Sequence, residues 1–177
     1  MSNEISLAAE LAAMTAGVLE QSAHAVEDLN LDQMHYKAGE DCNSLGFDAW
    51  HVARTADNLI FFAFEREKPV WLQQALNEAW DLPKADQGTG MDGNDARSLR
   101  FPEGAKMAQY CRDVKDAIVP KIAAMSDEYL ASTITIKPQG EMTRARIIGQ
   151  VVIAHGSAHN GMINTQRTAM GVGGLGI

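Results

Sequence analysis

A chain of 177 residues with 46% hydrophobic and 21% charged residues has the size and composition of one globular domain with a sizeable core. Its formal charge of -8 argues against the basic face that phosphate backbones require, so no nucleic-acid partner is expected. No apolar run approaches the roughly 18 residues of a membrane helix, and the start MSNEISLAAE lacks a signal-peptide core, so a cytoplasmic protein with no membrane partner is expected.

In chain order, residues 5–28 predict a long amphipathic helix with Leu7, Leu11, Met14, Val18 and Ser22 on one face. His24 falls near its end, where a surface histidine complements the helix dipole. LNLDQMHYKAGEDCNS then reads as an ordered connection covering one end of the core, with His35 in its packing. Ser44 or Asn43 caps a second helix over 45–67, with Phe47, Trp50, His51, Arg54, Asn58, Phe61 and Phe62 along one side. Pro69 starts a separate short helix, KPVWLQQALNEAW, whose Trp71 and Trp80 are core residues or face a partner subunit.

Residues 81–102 are rich in Gly, Asp, Pro and Asn and predict a long loop, either bordering a pocket or making a surface excursion. Its GTG lacks the Gly-Lys-Ser/Thr ending of a phosphate loop. A third helix over 103–125 turns Ala105, Ala108, Tyr110, Cys111, Val114, Ile118 and Ile122 inward, and Pro120 predicts a kink or break near 116–119. A brief extended piece follows at 133–136, before Thr143 caps the fourth helix. Arg144 and Arg146 belong to its solvated first turn, and the glycine-rich tail 171–177 is expected to be mobile. Cys42 and Cys111 suit neither a disulfide framework nor a Cys-x-x-Cys metal site and read as reduced thiols.

The fourth helix carries the chemical signal. In IIGQVVIAHGSAHNGMINTQR, His155 and His159 stand four residues apart, so both imidazoles project from one face and can reach one ion. Ile148, Val151, Val152, His155, Ala158, His159, Met162 and Ile163 follow the spacing of an inward face. Buried imidazoles need partners, which a metal or a polar network would supply. Four long helices without a convincing set of strands predict an all-α four-helix bundle with an extra short helix and one long loop, forming a single domain over 1–177. Such bundles build sites from facing helices, so His51 can complete a three-histidine set with His155 and His159.

Two stretches, AWHVARTADNLI and VVIAHGSAHNGMI, resemble the second- and fourth-helix signatures of the DinB/YfiT-like superfamily, the latter commonly His-Gly-Thr-His-His-Arg-Gly-Gln-Ile. His155 and His159 fall on its two ligand positions there, Gly156 and Gly161 on its glycines, and His51 on the third ligand. The GTG-containing loop and the helix starting FPEG extend the resemblance over most of the chain. Ala158, Asn160 and Met162 depart from the commoner histidine, arginine and glutamine. The resemblance implies an up-down-down-up bundle, a divalent zinc or nickel ion on the three histidines, and a homodimer. It fixes no single reaction: relatives include bacillithiol and mycothiol S-transferases and a thiol-dependent maleylpyruvate isomerase.

Three imidazoles leave a coordination position open for water or substrate, and an ion there can generate thiolate or hydroxide near neutral pH. Asp48, Asn58, Asn160 and Asn164 are candidates to orient a ligand or to bind substrate. The His-Glu-x-x-His pattern of zincins is absent, since Gly156 follows His155, and the Glu-x-x-His pairs of a di-iron bundle are missing. The expected function is that of a metal-dependent enzyme acting on a small molecule, a thiol-dependent S-transferase or isomerase. The alternatives are a metal-dependent hydrolase and a non-catalytic metal- or ligand-binding bundle of stress response.

Overall fold

The computed structural model describes residues 6–176; Met1 to Ile5 and Ile177 lie outside the described residues, among them Ile5, the expected first residue of the first helix. Ser6 caps helix α1 (Leu7–Val26), its side chain accepting from the Ala9 amide. Leu11, Thr15, Val18, Leu19 and Ser22 face the core, whereas Leu7 and Met14, expected on that face, are exposed at its margin. Asn30 and Gln33 form a reciprocal capping box at the one-turn helix α2 (Leu31–Met34), which orders the connection and buries Met34. His35 packs as expected, its Nε2 accepting the Phe101 amide at 2.9 Å.

Helix α3 (Leu45–Asp57) is capped by Ser44 and continues as a π-helical stretch, Asn58–Phe64. Every residue of α3 is buried, so it is the central element rather than a helix with one apolar side; Phe62, in the π-helical stretch, faces outward. The short tryptophan-bearing segment divides at Ala75, whose left-handed backbone (φ 52) separates helices α4 (Val70–Gln73) and α5 (Leu76–Ala79). The long loop holds one short helix, α6 (Gly93–Ser98), and is anchored by buried Leu82, Ala96 and Phe101.

Helix α7 (Gly104–Ala123) runs unbroken through Pro120, contrary to the expected interruption. Pro120 stands in the last turn, where the single bond it forfeits belongs to the carbonyl of exposed Asp116, which water can satisfy. Met107 replaces Ala105 on the inward face. After α8 (Asp127–Ala131), the extended piece β1 (Thr133–Ile136) pairs antiparallel with β2 (Gly140–Thr143), Thr133 opposite Thr143.

Thr143 then caps α9 (Arg144–Ile147), which passes through a second π-helical stretch, Ile148–Ala154, into α10 (His155–Ala169). Each π turn takes about one residue more than an α turn and so rotates everything after it. The buried stripe therefore reads Ile148, Val152, Gly156, Asn160, Ile163, Arg167, and Ala158 and Met162, expected inside, are exposed. Arg144 lies over the Tyr129 ring at 4.3 Å rather than in solvent. The tail folds back on α10: the Leu175 amide donates to Asn164 Oδ1 at 2.6 Å and Arg167 Nε to the Gly173 carbonyl at 3.1 Å.

Around the bundle, α1 packs on α7 and α10, and α3 packs on the same two, with α1 also touching α3. The all-α bundle expected from the sequence is thus present, with a small hairpin added. Among the described residues no helix is long and apolar enough to cross a membrane.

Candidate metal centre

His51 comes from the middle of α3, and His155 and His159 from the first two turns of α10, where α3 and α10 pack together. Gly156 lets α10 lie close to α1. A Cβ on it would stand 2.7 Å from Val18 Cγ1 and 3.4 Å from Val52 Cγ1, too close to α1 though in ordinary contact with α3, so a side chain there would press α10 off α1. Gly161, the other glycine matched to the family signature, has open space around it.

The three Nε2 atoms converge. His155 Nε2 lies 3.2 Å from His51 Nε2 and 3.1 Å from His159 Nε2. Three nitrogens at 2.0–2.1 Å from a tetrahedral ion would keep about 3.3 Å from one another, so the spacing suits one ion. The distal nitrogens decide the tautomers. His51 Nδ1 bonds the Gln87 carbonyl, and His159 Nδ1 stands 3.1 Å from Asp48 Oδ1. A carbonyl and a carboxylate only accept, so both Nδ1 atoms carry the protons and both Nε2 atoms present lone pairs. Those lone pairs meet at His155, which has at most one proton to offer them. An arrangement of acceptors with too few donors is what a cation completes, and His51, His155 and His159 could hold one metal ion.

Electrostatics agree. Burial pushes the His51 imidazole down to about 4, the neighbouring His159 and His155 act in the same direction, and the Gln87 carbonyl opposes them. Burial, then the charge of His159, also lowers His155, with only the Val151 carbonyl one turn back working the other way. Its Nδ1 is buried without a hydrogen-bond partner. Neutral imidazoles are the form that binds metal.

Support behind the histidines comes from three segments. Asp48 Oδ2 accepts from Gln166 Nε2 at 3.0 Å, so the carboxylate that orients His159 is itself held by α10. Gln87 is positioned by Asn58, whose Nδ2 donates to Gln87 Oε1 at 2.9 Å. Gly88, at φ 91, lets this loop lie against the site, because a Cβ would fall 2.6 Å from Phe47 Cζ and 3.2 Å from His51 Nδ1. Asp48 thus touches a ligand directly and Asn58 acts one residue removed. Asn160 and Asn164 do not reach the histidines: Asn160 is clamped to α1 through Ser22, Val18 and Gln21, and Asn164 holds the tail. Gln87 and Gln166 went unnoticed in the sequence, since one acts through a loop carbonyl and the other lies two turns beyond His159.

The long loop borders a pocket. A cavity of about 550 Å³ opens onto all three histidines, walled by Phe47 and Thr55 of α3, Gln150 and Val151 of the π-helical stretch, and Gly88, Thr89 and Met91 of the loop. Neither cysteine lines it. Cys42 is exposed and stands between Asp41 and Asn43, which do line it, and burial pushes the Cys111 thiol up to about 12.

A helical bundle with three imidazoles gathered from its second and fourth long helices defines a class of small bundle proteins with a candidate metal site. The DinB superfamily pattern matches residues 15–163, and the chain belongs to that superfamily. The crystal structure of a conserved protein from Enterococcus faecalis has a TM-score of 0.72 to this chain at 20% identity, covering 93% of this chain and 96% of that one, a likeness of fold. No curated protein matches the chain.

Proposed function

We propose that this chain is a metal-dependent enzyme in which His51, His155 and His159 hold one divalent ion, zinc or nickel, with a coordination position open to the cavity. One observation carries this reading: acceptors behind His51 and His159 fix their protons on Nδ1, leaving lone pairs aimed at a common point. A bound ion would supply Lewis acidity and a thiolate or hydroxide at neutral pH. The residues supply the rest. Asp48 and the Gln87 carbonyl orient the ligands, and the loop 87–91 screens the centre on one side.

The proposed substrate is a small molecule of a size the cavity admits, with a low-molecular-weight thiol as co-substrate, so that the reaction is an S-transfer or a thiol-dependent isomerisation. A homodimer is part of the same proposal. The test is elemental analysis of the purified protein beside a variant with alanine at 51, 155 and 159, followed by a thiol-dependent turnover screen and a solution mass. About one divalent ion per chain in the wild type and none in the variant is expected; no ion in either after supplementation overturns the metal reading. An ion without thiol-dependent turnover but with water-dependent cleavage assigns a hydrolase, and an ion with no turnover of any kind assigns a binding protein.

A further inference from the structure

A second cavity, of about 530 Å³, lies between the π-helical continuation of α3 and the strand β1. Leu59, Phe62 and Ala63 line it from the helix and Ile134 and Ile136 from the strand, while Arg66 and Lys137 bring two cations to its wall. No acidic side chain lines it, although the chain carries a formal charge of -8. Other cavities are mixed in charge. Arg97 shares the one at the histidines with Asp41, Lys37 and Arg100 share one near His35 with Asp32, and Lys121 shares one near Tyr129 with Glu65.

Neither cation of this wall is neutralised from elsewhere. Among the described residues Arg66 and Lys137 form no ion pair, whereas Lys121 pairs with Glu67 and Arg112 with Glu20 and Glu27. Both are exposed, so a ligand can reach them. Arg66 is also held in place: its amide bonds the Phe62 carbonyl, its backbone is left-handed (φ 60), and its guanidinium lies 5.4 Å from the centre of the Phe62 ring. That ring is 49% exposed, an apolar face of aromatic size beside a positioned charge. Thr135 adds an exposed hydroxyl, and Asn58 and Gln87 of the same wall bond each other. Cations without carboxylates around an apolar floor are complementary to a molecule that is anionic at one end and apolar at the other.

We propose that this cavity binds a small organic anion, a carboxylate or phosphate ester on an aromatic or apolar body, with its head group at Arg66 and Lys137 and its body against Phe62 and the isoleucines of β1. The site does not depend on a metal at the histidines. Its occupant would lie against Gln87, whose carbonyl bonds His51, so the two sites share one loop residue.

The experiment titrates benzoate, phenyl phosphate, phenol and inorganic phosphate into the full chain by calorimetry. At least one of the two aromatic anions is expected to bind about tenfold or more tightly than either phenol or inorganic phosphate, since only it offers both the charge and the ring. Binding of benzoate alone assigns a carboxylate head, and of phenyl phosphate alone a phosphate. The double variant Arg66→Gln, Lys137→Gln is expected to lose about tenfold or more of that affinity and to keep its thermal midpoint, because both side chains are exposed. A second double variant, Lys84→Gln with Lys106→Gln, removes the same charge outside this cavity and is expected to bind as the wild type does. Failure of both aromatic anions to bind overturns the site. So does full affinity in the first double variant, which would put the anion elsewhere, the histidines included, and so does an equal loss in both double variants, which would reduce the effect to net charge.

Discussion

Helix α3 buries two polar clusters less than two turns apart, and they are built on opposite principles. Asp57 is closed: its Oδ1 accepts the Val70 amide at 2.8 Å, and its Oδ2 accepts the Trp71 amide and the Tyr110 hydroxyl, both at 2.9 Å. Arg54 stands 3.8 Å away and spreads over the Trp71 ring at 5.2 Å. His51 is open, since it has one acceptor behind it and further acceptors in front. Burial alone does not separate structure from site, because both clusters are deep. What separates them is the balance of donors and acceptors: both oxygens of Asp57 are matched, with Arg54 Nε and Nη1 left over as spare donors, whereas the cluster around His51 is deficient in donors.

Substitutions at each cluster sharpen the contrast. The largest effect on stability is expected from Asp57→Ala, which strands two amides, a hydroxyl and a buried guanidinium; a loss of about 3–5 kcal/mol, read by urea denaturation, is the expectation. A smaller loss would mean that water enters and the cluster is less closed than its geometry. Asp48→Ala acts on the open side. It is expected to weaken metal binding by about 10- to 100-fold, measured by competition with a chromophoric chelator, because His159 loses the group that orients it. Equal affinity would show that α10 alone holds the ring.

The gentlest perturbation is pH on the metal-free protein. His51 sits at about 4 when folded against an ordinary 6.5, so between these values the unfolded chain binds more protons than the folded one. Stability is thus full above about pH 6.5 and is lost as pH falls through that window toward 4, with His155, also lowered, adding to the slope. Denaturation midpoints at pH 7.5, 5.5 and 4 check this. A flat profile would mean that the histidine cluster opens to water before it is charged.

Much of this was legible in the sequence because it depends on local rules. Ser44 and Thr143 cap helices as their hydroxyls suggest, and the i, i+4 histidine pair faces one centre with His51. Features set by distant partners were not. The partners of Asn160 and Asn164 lie on α1 and in the tail, which no spacing within α10 reveals. The tail itself, expected to be mobile, is held by Asn164 and Arg167. Gln87 contributes a main-chain oxygen, so its side-chain type carries no signal.

The π-helical stretch Ile148–Ala154 has a genetic corollary. It leads directly into His155, so loss of a single codon within it would let the segment relax to ordinary α geometry. The lost residue is about the one that the wider turns take up, so the downstream residues would keep nearly the same facing and both imidazoles would stay on the α3 side. A relative can therefore be one residue shorter between the positions of Thr143 and His155 and still gather the same three histidines, provided that its helix there is of the ordinary α kind.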